Sequence, residues 1–125
     1  LEQWHHVMKD GDMEALYDLL HPDCVFISPV VHTPQEGREI TYAYLRAANK
    51  ALSEDFQYVR EVVQDNHAVL EFTVKVDGIF VNGVDIITFE GDQIVELKVM
   101  VRPLKAVNAV WKQMGQMLEQ LKAAS

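Results

Sequence analysis

From Phe56 to Arg102 apolar and polar residues alternate, and this period of two constrains the fold more than any other feature of the chain. Successive side chains on a strand point to opposite faces, so the pattern predicts antiparallel strands with one buried face. Asp77-Gly78 is a two-residue hairpin signal, because a type I′ turn needs positive φ at both central positions. That turn pairs Val76 with Ile79, Val74 with Val81, Phe72 with Gly83 and Leu70 with Asp85. Leu70, Phe72, Val74, Val81 and Asp85 then share one face, while Glu71, Thr73, Lys75 and Asn82 share the other. A slip of one residue would destroy this separation.

Glu90-Gly91-Asp92 suits a three-residue loop with Gly91 at positive φ. It predicts Phe89 opposite Gln93, Ile87 opposite Val95, Asp85 opposite Leu97 and Gly83 opposite Val99. Glu96, Lys98 and Arg102 point away, and the outward Val84, Ile86, Ile94 and Met100 offer a surface to a second copy. An Asn82-Gly83 turn would break this pattern, so Gly83 belongs inside a strand, as a bulge or where a ligand comes close. The turn after Phe56–Gln64 has two or three residues; one choice brings Glu61 inward, the other Arg60.

The first half reads as helical. Leu1, Trp4, Val7 and Met8 form one face of a helix ended by Gly11. Asp12 caps a second helix through Leu20, with Met13, Leu16, Tyr17 and Leu20 inward. His21-Pro22-Asp23 stops it, and Cys24–Ser28 is a short strand. A third helix runs from Gln35 to Leu52 with Ile40, Tyr44, Ala47, Ala48 and Ala51 inward. Pro103 opens a last helix, whose Leu104, Val107, Trp111, Met114, Leu118 and Leu121 read as core or as a subunit interface.

A chain of 125 residues is expected to be one domain, residues 1–125. Lys plus Arg number 11 against 19 Asp plus Glu, a formal charge of −8, which argues against nucleic acid or an anionic membrane as partner. No apolar run reaches the roughly 18 residues of a membrane span and no signal peptide is visible, so the cytoplasm is the expected compartment. Cys24 is alone, so neither a disulfide nor a CxxC pair is expected. His5 and His6 splay apart on a helix, and His21, His32 and His67 lack ligand spacing, so no metal is expected. With no Gly-rich phosphate loop, no cofactor is expected either.

Helices followed by a meander make an α+β layout. GDMEALYDLLHPDCVFISP, EGREI and GVDIITFEGDQIVELKV resemble the nuclear transport factor 2-like (NTF2-like) superfamily, which includes SnoaL-like polyketide cyclases and ketosteroid isomerases. The resemblance implies a cystatin-like cone, a curved and mostly antiparallel sheet wrapped around the N-terminal helices, with a C-terminal helix added. It also implies a deep apolar pocket for a small molecule and a homodimer through the outer sheet face. A ketosteroid isomerase has a base Asp where Ser28 stands, an oxyanion Tyr where Trp4 stands, and an oxyanion Asp matched by Asp85. One of three is retained, which argues against steroid isomerisation by that mechanism.

Asp85 is the sharpest candidate, since an acid between apolar neighbours is held neutral and can donate a hydrogen bond. His32, in the loop after the first strand, is the candidate base. Trp4, Tyr17, Ser28, Tyr42, Tyr58, Phe72, Gly83 and Leu97 are the expected pocket residues. The expectation is an isomerase, cyclase or hydratase acting on a small apolar carbonyl compound. A non-catalytic binder of a lipophilic ligand and a dimeric structural protein stand as alternatives.

Overall fold

The computed structural model describes residues 1–124, with side chains through residue 116 and at Glu119. Two helices, α1 (Glu2–Asp10) and α2 (Met13–Leu19), lead into β1 (Leu20–Ile27). A short β2 (Gln35–Glu36) precedes α3 (Arg38–Ala51), and a meander follows: β3 (Glu54–Gln64), β4 (His67–Val76), β5 (Ile79–Glu90) and β6 (Gln93–Arg102). The last helix is α4 (Leu104–Ala124). The strands form one six-stranded sheet in the order β2-β1-β6-β5-β4-β3, an α+β fold. It is mixed, because β1 lies parallel to β6.

The helix ends follow local chemistry. Gly11, at φ 68°, takes the left-handed position that closes α1, and its N–H donates to the Val7 carbonyl. Asp12 caps α2 by accepting from the Ala15 N–H at 3.1 Å. His21-Pro22-Asp23 is no interruption, since β1 begins at Leu20 directly after α2. Proline is tolerated there at the start of a strand, before continuous pairing with β6 resumes at Val25.

The β4–β5 hairpin has the expected register, from Val76 opposite Ile79 through Leu70 opposite Asp85. Asp77 and Gly78 sit at φ 55° and 78°, as a type I′ turn requires. The β5–β6 hairpin differs from expectation. Its loop is two residues long, with Glu90 opposite Gln93, and a bulge inserts Val95 between the partners of Phe89 and Thr88. Each change moves the register by one, so together they keep the faces of Leu97 and Val99 but shift the partners by two. Asp85 therefore faces Val99 and not Leu97. Ile94, expected outside, is fully buried. On β3 a two-residue turn and a bulge at Val59 place Glu61 opposite Leu70 and Tyr58 opposite Phe72, which settles the choice for Glu61 over Arg60.

Two helix faces also differ. On α3, Thr41, Leu45 and Ala47 are buried while Ile40, expected inward, is exposed, so the buried face begins one residue later than the periodicity implied. On α4, Ala106, Ala109, Val110 and Met114 face the core, while Leu104 and Trp111 are 75% and 64% exposed. Small residues win because α4 packs against Ala47, Ala48 and Ala51 of α3, and close helix approach favours small side chains. Leu118 and Leu121 lie outside the described side chains.

Apolar packing divides into two clusters. One joins Trp4, Val7, Leu16, Leu20, Phe26 and Leu45 to the far end of the sheet. The other joins Phe72, Val74, Val76 and Val81 to the Ala106–Met114 face of α4. Between them lies a cavity.

Candidate functional site

A cavity of about 750 Å³ draws its wall from both clusters, with Trp4, Phe26 and Leu45 on one side and Phe72, Val110 and Met114 on the other. That volume lies in the range of small-molecule sites. Ser28, Asn49, Gln57, Tyr58 and Asp85 bring polar groups to this mostly apolar wall, and His5, Lys9 and Asp10 line it from α1.

The polar centre is a chain of three side chains from three elements. Trp4 of α1 donates its indole N–H to the Tyr58 hydroxyl at 3.0 Å. Tyr58 of β3 in turn donates to Asp85 Oδ2 at 3.3 Å. Asp85 reaches the concave face because the β4–β5 register sets it opposite Leu70; Tyr58 reaches it because the Val59 bulge re-aims the strand. Burial pushes the Asp85 carboxyl from 3.8 up to about 7, although the Tyr58 hydrogen bond pulls the other way. Burial, and then the Asp85 charge, push the Tyr58 phenol well above its ordinary range. Tyr58 is thus held as an O–H donor, and Asp85 keeps its proton up to about pH 7.

Of the residues expected to form the site, Trp4, Ser28, Tyr58, Phe72 and Asp85 line the cavity. His32 stands exposed in the loop after β1 and does not line it. Tyr17 and Tyr42 meet edge to face at 5.2 Å, and neither lines the cavity. There the Tyr17 hydroxyl donates to Glu39, and Arg38 lies over its ring at 4.7 Å. Leu97 belongs to the first apolar cluster and not to the wall, because the β6 bulge brought Val99 to Asp85 instead. Tyr44 packs on Phe26.

Gly83 has a role other than ligand approach. A Cβ there would stand 2.5 Å from Phe72 Cζ and 2.8 Å from the Met100 carbonyl oxygen. The glycine makes room for the Phe72 ring, which stacks on Phe56 with centroids 5.3 Å apart at the cavity wall.

Sequence reasoning missed His5 as a wall residue. Its Nε2 lies 2.6 Å from Glu61 Oε1, and its ring meets Tyr58 edge-on at 5.5 Å. The signal was present in part, since His5 follows Trp4 directly and Glu61 was one of two residues proposed for the inner face.

Among the described residues no three His, Cys, Asp or Glu side chains converge as a metal site, and no helix is long and apolar enough to cross a membrane. No curated protein matches the chain. A steroid delta-isomerase from Pseudomonas aeruginosa is 35% identical, covering 98% of this chain and 90% of its own, with a TM-score of 0.92. An uncharacterised protein with a cystatin-like fold from Silicibacter pomeroyi is 32% identical over 89% of this chain and 79% of its own, with a TM-score of 0.82. An NTF2-like protein of unknown function from Mesorhizobium loti, 22% identical over 82% of this chain and 87% of its own, shares the fold at a TM-score of 0.71. The SnoaL-like domain profile matches residues 1–97, from α1 into β6, and the chain belongs to the SnoaL-like family.

Proposed function

We propose that the cavity binds a small, largely apolar carbonyl compound and isomerises it through an enolate. The observation that carries this reading is the Trp4–Tyr58–Asp85 chain in an apolar wall. A ligand carbonyl placed beside Asp85 would accept from the protonated carboxyl, and Tyr58 would turn its one O–H from Asp85 Oδ2 to the same oxygen. Charge that develops on that oxygen in the transition state is then met by donors already in place. Tyr58, reaching in from β3, supplies the hydroxyl that α1 lacks with Trp4 at its third residue. The steroid delta-isomerase from Pseudomonas aeruginosa, similar over nearly the whole chain, supports isomerisation as the reaction type.

The test is turnover of a β,γ-unsaturated ketone, either cyclohex-3-enone or a 3-keto steroid, followed by ultraviolet absorbance of the conjugated product. Asp85→Leu suits the apolar surroundings and removes the donor, so turnover should fall about 100- to 1000-fold. Unchanged turnover sinks the proposal. A natural protein that binds these ketones and converts none favours the alternative of a lipophilic-ligand binder.

We propose further that one such domain, residues 1–125, pairs with a second copy through the outer sheet face. Val84 and Ile86 are partly open there, and Phe80 and Met100 are 54% and 51% exposed. Ile86→Asp is expected to sediment as a folded monomer; a monomeric natural protein contradicts the pairing.

A further inference from the structure

We propose that His5, held by Glu61, is the residue that moves the proton in this cavity. The inference rests on the reading of Asp85 and Tyr58 as the carbonyl site. Enolate formation needs a base beside the polarised carbonyl, and on this reading Asp85 and Tyr58 are both engaged at its oxygen and not at the carbon that loses the proton. Ser28, also on the wall, is a hydroxyl whose oxygen accepts from the Val30 N–H at 3.1 Å, and a neutral hydroxyl is a poor base. Asp10 lies on the wall, but its carboxylate is taken up by His6 Nδ1 at 2.8 Å. His32 is outside the cavity.

His5 meets the requirements of geometry. It lines the cavity, and its ring packs edge-on against Tyr58, so base and donor share one wall. The Glu61 carboxylate, 2.6 Å from Nε2, accepts only, which fixes the ring hydrogen on Nε2 and leaves the lone pair on Nδ1. Glu61 is the positioning residue: it sets the tautomer and stabilises the imidazolium that forms when His5 takes a proton. The two come from α1 and β3, and they meet because the two-residue Asp65-Asn66 turn puts Glu61 on the concave face. Side-chain exposures of 38% and 45% place the pair at the cavity's edge, where solvent can exchange the proton.

The step balances without a co-reactant. Nδ1 takes a proton from the carbon next to the carbonyl, and the C–H electron pair becomes the enolate double bond. The carbonyl π pair moves onto oxygen, under the Tyr58 and Asp85 hydrogen bonds. His5 then returns the proton at the γ-carbon, which completes the shift of the double bond.

The experiment separates the base from the carbonyl site. Exchange of the α-protons of cyclohex-3-enone in deuterium oxide, followed by NMR, reads proton removal. Binding of 4-nitrophenol, an enolate mimic, reads Asp85 and Tyr58 alone. His5→Gln should slow exchange at least about 100-fold and leave nitrophenol affinity unchanged. Glu61→Gln should lower the maximal exchange rate with the same KM, and nitrogen NMR of the ring should show the Nε2–H preference lost. Exchange by His5→Gln at the natural rate overturns the proposal, as does a natural protein that binds nitrophenol and exchanges nothing. If nitrophenol does not bind and Asp85→Leu leaves exchange unchanged, the carbonyl reading fails instead.

Discussion

Asp85 is 8% exposed, with Leu70 and Val99 opposite it across the ladders, and Tyr58 is its hydrogen-bonding partner. A carboxylate there loses hydration that one phenol replaces only in part, so the proton stays on to about pH 7. The consequence for stability has a definite sign. Below the unfolded value of 3.8 the folded and unfolded chains both hold the proton, and burial costs least. Between 3.8 and about 7 the unfolded chain gives up its proton while the folded chain keeps it, so stability falls as pH rises. Asp85→Asn removes this titration. Its stability relative to the natural protein should therefore improve from acid to pH 8, by on the order of 4 kcal/mol at most. Denaturant midpoints at the two pH values check this, and a gap that does not change with pH contradicts burial as the cause of the shift.

At the scale of elements, the β4–β5 hairpin was legible to the residue because Asp77-Gly78 permits one turn type and one register. The β5–β6 hairpin was not. A bulge such as the one at Val95 carries no residue signature, and its effect on the faces cancelled that of the shorter loop. Helix positions were legible from period, but buried faces were not always so. Period favours large residues such as Leu104 and Trp111, whereas packing on the alanines of α3 selected Ala106 and Ala109. The corrected register also sharpens the pairing proposal. Ile86 lies on the outer face, so Ile86→Asp should give monomers that still fold. Ile94 is buried, so an Asp there leaves an unpaired charge in the core and should unfold the protein.

At the scale of the molecule, the cavity exists because two apolar clusters approach without closing, each with helices on one side and the sheet on the other. Asp85 could be found from sequence because one turn fixed its face. Tyr58 could be named but not aimed, since its orientation depends on the Val59 bulge. The contact between His5 and Glu61 joins residues 56 positions apart, and no local pattern reports it. Sequence thus locates the acid, while the chain of donors around it is a product of tertiary packing. The central claim is that this chain polarises a ligand carbonyl, and the most direct measurement is the infrared stretching frequency of that carbonyl in bound cyclohex-3-enone. The account predicts a shift to lower frequency in the natural protein, reduced in Tyr58→Phe and absent in Asp85→Leu. A bound ketone whose carbonyl frequency matches that in an apolar solvent, or shifts equally in all three proteins, contradicts it.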